Sequence, residues 1–498
     1  MSLRKGSNTS LPDVEMLSPP DQQNLHTIPY QDDEPKTAKK VFLDKILLNE
    51  GILPVNFYSS WGYVLFLGII AITYTTLEPE YIHRELGISE AKMGKTTAWL
   101  YLYDYTIRLF CALLYGPLID HYGRKTVMAV GIFLVSLGYF VVPILNQSFF
   151  PGYFVAKTLY SGGIIGLQML PLAADYVDNS TKGIMAALNF GVAFLGGGIG
   201  AGLLKVLSLF ESSYIIIYWT LAGIIFFLGF GISLGIKGGN TYYKKGAAEA
   251  QGQELTDRNA RWEGVKKAFR EDPWVNMSII FGVLGNTDFY ILTTGLVIWI
   301  RSLVPEGVDP IGVTANYQAI FALTSLILTG YMAFKIDKMP HMKIIMPILI
   351  VATLGFILVP LVGSATSPLL YIFFLIEGAS LPGILVYSSY FAYRYYPSEI
   401  RGTLSGIANA ICFLGAIVIL SIGGVLHDSW RKDASFLLYA MLMVISLILV
   451  IVIQKTMIKG GGVGSDSVSM LALKKNMNID RHGHHLDGAH GEFDDSEN

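Results

Sequence analysis

Five ionisable residues stand inside long apolar runs, where a charge costs several kcal/mol unless it meets a partner or a wet cavity, so each is a candidate for function. Asp104 and Arg108 share one run, Asp288 stands in another, and Lys157 and Glu377 lie nearer the ends of two more. Asp104 and Arg108 are one helical turn apart and can neutralise each other as a structural pair. Facing a cavity instead, Asp104 could hold a cationic group or a proton, and the Arg108 guanidinium could take a carboxylate or phosphate through paired hydrogen bonds. Lys157 and Glu377 could form an ion pair across an outer gate, or a pair that binds a solute. Asp288 has no charged neighbour on its own helix and is the leading candidate to take up and release a proton, a property governed by desolvation and nearby charge. Gln168, Asn189, Gln318 and Asn409 add neutral polar groups. Each suits an interhelical hydrogen bond or a ligand contact. With Tyr103, Tyr160, Tyr290 and Tyr387 they suggest a polar, aromatic-lined chamber for a small organic solute.

The elements that must carry these residues follow from composition. Of 498 residues 52% are hydrophobic and 15% charged, against about 25% charged in a soluble domain. That excludes a disordered chain and a water-soluble multidomain enzyme, and 2 Cys exclude a disulfide scaffold. A net charge of −2 offers no basic field for nucleic acid. Runs of about 20 apolar residues, the length that spans a bilayer, number six before the polar stretch Lys237 to Asp272 and six after it. Unbroken runs such as Ile215 to Phe230 exclude the alternating pattern of a β-barrel. The expected fold is an all-α membrane protein with twelve transmembrane helices in two pseudo-symmetric six-helix bundles. The expected boundaries are a tail at 1–56, a first bundle at 57–236, a linker at 237–273, a second bundle at 274–456 and a tail at 457–498.

Most of the 36 Lys and Arg fall in the tails and the even-numbered connections, which places both termini in the cytoplasm. Two short amphipathic helices are expected on that side, at 41–48 and 258–270. The glycine-rich run from Gly196 to Gly202 is read as close helix packing. Cys111 and Cys412 are read as buried apolar filler, and the His-containing carboxyl tail as a solvated segment. No metal motif, nucleotide-binding loop or catalytic motif is present, so no cofactor and no enzymatic activity are expected.

The two halves repeat each other. Gly116, Asp120, Gly123, Arg124 and Lys125 between helices two and three correspond to a segment around Asp337 between helices eight and nine. The segment Asp175 to Gly183 after helix four, with its Lys182-Gly183 step, corresponds to Arg394 to Gly402 after helix ten, with Arg401-Gly402. Parallel repeats of this kind occur in alternating-access transporters. The first segment resembles the G-x-x-x-D-R-x-G-R-R/K signature of the major facilitator superfamily, with His121 replacing its first Arg. The resemblance extends over residues 57 to 456. It implies the major facilitator fold, and transport of a small polar or charged organic solute across a lipid bilayer, with protons as a candidate coupling ion and a single chain as the working unit. It also implies a gating role for Gly116, Asp120, Gly123, Arg124, Lys125, Asp175, Lys182, Asp337, Arg394 and Arg401. In that reading Asp120 accepts from the helix-eleven start near Thr403 and Arg124 pairs with Asp175. Hexose-porter and drug-antiporter elements are missing; helix seven reads Gly285-Asn286-Thr287-Asp288-Phe289-Tyr290, and Arg394 stands where the sugar-porter and organic-ion branches carry Glu. The competing reading is a receptor or assembly subunit that keeps the fold and moves nothing.

Overall fold

The computed structural model describes residues 40–49, 51–145, 149–209, 214–237, 265–270, 272–305, 308, 310–365, 367–396 and 401–455, except for a few side chains that include those of Asp120, His121 and Arg401. Twelve helical spans follow one another: α1 (Pro54–Arg84), α2 (Met93–Tyr122), α3 (Arg124–Val141), α4 (Phe154–Gln168), α5 (Lys182–Leu209), α6 (Tyr214–Gly235), α7 (Pro273–Arg301), α8 (Pro310–Lys335), α9 (His341–Leu358), α10 (Pro368–Tyr395), α11 (Arg401–Ser429) and α12 (Ala434–Ile453). Ten of them are long and apolar enough to cross a membrane among the described residues. The other two are α2, which carries Asp104 and Arg108, and α4, which stops at Gln168 and resumes as Leu172–Tyr176 past Pro171. Their charge and breaks are tolerable because neighbouring helices, not lipid, cover them.

The apolar core is divided. One cluster gathers Phe66, Ile70, Met128, Ile132, Ile164 and Leu221 from the first six helices; another gathers Phe281, Leu284, Phe356, Phe373, Phe391 and Met443 from the last six together with Tyr105, Tyr115 and Ile165 from the first six, and so bridges the halves. Large apolar side chains also point outward, with Phe227 76%, Ile327 67% and Ile448 55% exposed. An apolar exterior of this extent belongs against lipid. The two halves meet along α2 with α11 and along α5 with α8. We call the end holding the start of α1 and the end of α12 the proximal face, and the opposite end the distal face.

Two expectations change, and a third is seen only in part. The segment expected as an amphipathic helix at 41–48 is a two-stranded antiparallel hairpin pairing Lys40 with Leu47 and Val41 with Ile46. Its second strand finds backbone partners in the α4–α5 connection: Asp178 N–H donates to the Leu47 carbonyl at 2.9 Å and Asn49 N–H to that of Tyr176 at 3.0 Å. Those fixed acceptors and donors favour an extended segment over a surface helix. Of the second expected amphipathic helix, 265–270 are helical with Val265 buried, and the remainder lies outside the described residues. Finally, α1 continues through Pro79 to Arg84, which carries Glu78 and Glu80 into the protein, both fully buried.

Candidate functional site

Between the two halves lies a cavity of about 400 Å³. Its lining comes from mid-depth and the proximal half, from Ser60 and Tyr63 on α1 to Tyr393 on α10 and Ser405 on α11. Gln168, Asn189, Gln318 and Asn409 all face it, joined by Asn286, so five carboxamides from five helices converge on one space. Asn189 is 9% exposed and its Oδ1 has no hydrogen-bond partner among the described residues. Asn409 Nδ2 and Asn286 Nδ2 donate to carbonyls of their own helices, Ser405 at 2.9 Å and Gly282 at 2.8 Å. Tyr290 lines the cavity, whereas Tyr103, Tyr160 and Tyr387 do not. No Asp, Glu, Lys, Arg or His is among the lining residues.

The five expected charges are therefore elsewhere, in solid protein. In the first half, the Lys157 ammonium sits 2.5 Å from Glu78 Oε1 and 3.6 Å from Asp104 Oδ2. Arg108 Nε donates to Asp104 Oδ1 at 2.8 Å, and Ser161 donates to the same oxygen. Tyr153 donates to Glu78 Oε1 at 2.8 Å. Arg108 also lies over the rings of Tyr105, Tyr160 and Tyr290, 5.4–5.8 Å from their centroids. Two acids and two bases thus cancel, and Lys157 takes Glu78 where a Lys157–Glu377 pair was expected. Glu78 escapes a reading by hydropathy because Pro79 and the two acids flanking it look like the end of a span.

In the second half, Asp288 of α7 and Glu377 of α10 are both fully buried and close enough to act on each other electrostatically. Neither Asp288 oxygen has a hydrogen-bond partner among the described residues, while Glu377 Oε2 accepts from Ser380 at 3.3 Å. Tyr439 stands beside Asp288 and donates to the Leu284 carbonyl at 2.9 Å. This second cluster, unlike the first, holds acids without a base.

At the proximal face the residues expected to gate come together in pairs from the two repeats. Gly123, at φ 84°, makes the turn between α2 and α3, a backbone conformation that glycine adopts without strain. Arg124 Nε meets Asp175 Oδ2 at 2.9 Å and its Nη1 donates to the Ile119 carbonyl at 2.9 Å, both within its own bundle. Lys125 donates to the Leu234 carbonyl at 3.4 Å, and Gly116 is buried. The side chains of Asp120 and Arg401 lie outside the described ones. Their repeat counterparts do not: the Asp337 carboxylate sits over Gly183, facing the Ile184 N–H at the start of α5. Asp337, the counterpart of Asp120, is 3.7 Å from Arg394, which carries the opposite charge to its own counterpart Asp175. Lys182 Nζ adds a donation to the Tyr393 carbonyl at 3.2 Å. Burial pushes the Asp337 carboxyl above its ordinary value, against the pull of Arg394.

The distal face is closed across the two halves. Arg301 of α7 reaches Glu80 of α1 at 2.5 Å and Glu90 at 2.7 Å. Thr294 donates to the Thr75 carbonyl at 2.9 Å, Gln318 to Thr76 at 3.2 Å, and Lys205 to Asn316 at 2.6 Å.

Comparison with known proteins agrees with this architecture. The sequence profile of the Major Facilitator Superfamily matches residues 60–366 and 314–460. The magnetosome protein MamH of Paramagnetospirillum magneticum is 19% identical over 395 residues, which cover 74% of this chain and 86% of that protein. The human organic anion transporter MFSD10 shares the fold at a TM-score of 0.57 and 14% identity, over 80% of this chain and 100% of that one. The fucose:proton symporter FucP of E. coli does so at 0.54 and 14%, over 80% and 98%. With its signature segment, its repeated proximal joint and a profile match over most of its length, the chain is a multi-pass membrane protein of the Major Facilitator Superfamily.

Proposed function

We propose that this protein is a secondary transporter that moves a small, uncharged polar organic solute by alternating access. The observation that carries this reading is the carboxamide-lined cavity between the halves, free of ionisable side chains. A charged solute entering it would leave water and find no counter-charge, at a cost of several kcal/mol. A solute rich in hydroxyl or amide groups would find donors and acceptors on α4, α5, α7, α8 and α11. At about 400 Å³ the space suits a small molecule. The expected charged solute is the less suited to it, and Asp104, Arg108, Lys157 and Glu78 act in this reading as a neutral brace of the first bundle.

Coupling falls to Asp288 and Glu377. They carry no base that would fix their charge, and α7 and α10 also line the chamber, so a proton gained or lost there would be felt by helices that hold the solute. The basic loops orient both termini toward the cytoplasm, which makes the proximal face the inner one. The described state is then one with the outer side shut and the chamber displaced toward the inner side, where the α5–α8 joint is also made. The chain carries no nucleotide-binding loop, so the driving force is a gradient.

Ligand-dependent melting of the purified protein against polyols, sugars, neutral amides, amino acids, carboxylates and organic cations tests the solute class. A shift confined to neutral hydrogen-bonding solutes is expected; shifts only with carboxylates or cations would overturn it. Stable co-purification of a stoichiometric partner, with no solute shift at all, would favour the receptor reading. In proteoliposomes with an imposed pH gradient, Asp288→Asn is expected to abolish accumulation while leaving solute exchange. An Asp288→Asn variant that accumulates solute as the parent does would remove this residue from coupling.

A further inference from the structure

The first N–H groups of a helix have no partner within it and carry partial positive charge, so a carboxylate placed there is stabilised. At the distal start of α2 those groups are held by the opposite bundle. Asp428, in the last turn of α11, accepts from the Gly94 N–H at 3.1 Å through Oδ1 and from the Lys95 N–H at 2.7 Å through Oδ2. The approach depends on glycine. A Cβ at position 94 would fall 2.5 Å from Asp428 Oδ1 and 2.6 Å from the Gly424 carbonyl. Gly424 in turn packs on Ala98, where a Cβ at 424 would meet the Ala98 side chain at 2.7 Å.

The proximal joint between α5 and α8 has the same construction. There Asp337, from the end of α8, covers the first turn of α5 with Gly183 beneath the carboxylate. An acid leaving one helix, the N-terminal turn of its facing helix and a glycine under the carboxylate thus recur at opposite faces of the molecule. Of the Arg301 contacts, the one to Glu90, 62% exposed, is a surface pair that contributes little, whereas the one to buried Glu80 is a second tie between the halves.

We propose that Asp428 is a gating residue: its carboxylate clips the start of α2 to α11 whenever the distal face is shut, and releasing that clip is part of opening the face. The proposal rests on the alternating-access reading and adds to it the contact that sets how often the distal side opens. Losing a helix-cap acceptor shifts an equilibrium by about tenfold. Asp428→Ala is expected to raise the open population by about that factor, and Gly94→Ala to do the same by displacing the carboxylate sterically.

The test uses the full chain in a Cys111→Ser, Cys412→Ser background with Thr97→Cys as reporter. Thr97 is 2% exposed and lies one turn beyond Gly94 in the distal part of α2. Modification by a membrane-impermeant maleimide from the distal side is measured in reconstituted vesicles. Asp428→Ala and Gly94→Ala should each accelerate it about tenfold, Asp428→Ala with a melting temperature close to that of the parent and Gly94→Ala with a lowered one, because its Cβ also meets the Gly424 carbonyl. Gly202→Ala, at a glycine with open space around it, should leave the rate unchanged. If both latch variants fold and neither changes the rate, the proposal is wrong; should either fail to fold, Asp428→Asn, which keeps one acceptor and the side-chain volume, is expected to give a smaller increase, and an unchanged rate counts against the latch. Acceleration without solute flux in any variant would leave the latch standing and overturn the transport reading. Solute-dependent modification that is insensitive to position 428 would do the reverse.

Discussion

Lys157 lies between Glu78 and Asp104 with 1% of its side chain exposed, and its removal would leave two buried carboxylates with one guanidinium. Breaking a buried ion pair from one side costs about 3–5 kcal/mol, mostly through the charge left behind. Lys157→Met is therefore expected to lower the melting temperature sharply, and Lys157→Met with Glu78→Gln to recover much of the loss. Equal melting of the single and double variants would show that Glu78 and Lys157 are not energetically linked. A second expectation concerns Asp337, outside the spans, whose carboxyl burial pushes above the ordinary range. An acid with a higher pKa folded than unfolded is proton-rich in the native state, so its contribution to stability is largest in acid and declines as pH rises past about 4. The melting temperature of the parent minus that of Asp337→Asn should fall between pH 4 and pH 7; a difference that ignores pH would exclude titration of Asp337. At this scale the sequence exposes which residues are unusual, because a charge in an apolar run is visible without coordinates. It does not expose their partners: Asp104 with Arg108 follows from helical spacing, whereas Glu78 with Lys157 requires knowing where α1 ends.

Helices in lipid gain no hydrophobic drive for pairing and depend on close backbone approach. The glycines of α5 show how selectively that works. A Cβ at Gly196 would collide with the Leu65 carbonyl of α1, and one at Gly68 with the Ala193 carbonyl of α5, while Gly202 has open space around it. Gly196→Ala is accordingly expected to destabilise by about 1–3 kcal/mol through overpacking, and Gly202→Ala to be neutral, in thermal melts of the purified protein. Loss of stability in both would mean that helix propensity in α5, not contact with α1, is what these glycines govern. Span positions were legible because about 20 apolar residues leave a long signal. Breaks within spans were less so. The interruption between Gln168 and Leu172 coincides with Pro171, but the wide turn at Ile291–Gly295 in α7 carries no such mark. The hairpin at 40–47 was misread because its amphipathic pattern is compatible with either period over so few residues, and its deciding contacts lie in the α4–α5 connection.

For the whole molecule the repeat was readable from paired segments, and Arg394, standing where an acid was expected, lies 3.7 Å from Asp337. What the repeat does not convey is which face is shut. The chamber lining runs toward the proximal ends of α1, α10 and α11, while Arg301, Thr294 and Lys205 join the halves distally. A cysteine in the chamber should therefore react from the side of the termini and not from the other. Ser389→Cys, on the α10 wall of the chamber, in a Cys111→Ser, Cys412→Ser background, is expected to take an impermeant maleimide added to the cytoplasmic side of inside-out vesicles, and to resist it in right-side-out vesicles. A neutral solute that occupies the chamber should slow the reaction by competing for the same space, in proportion to its saturation. Faster labelling from the side opposite the termini would reverse the assigned orientation or the resting state. Tail-specific proteolysis of the same vesicles separates these, because a reversed chain exposes its termini outside and a shifted equilibrium does not.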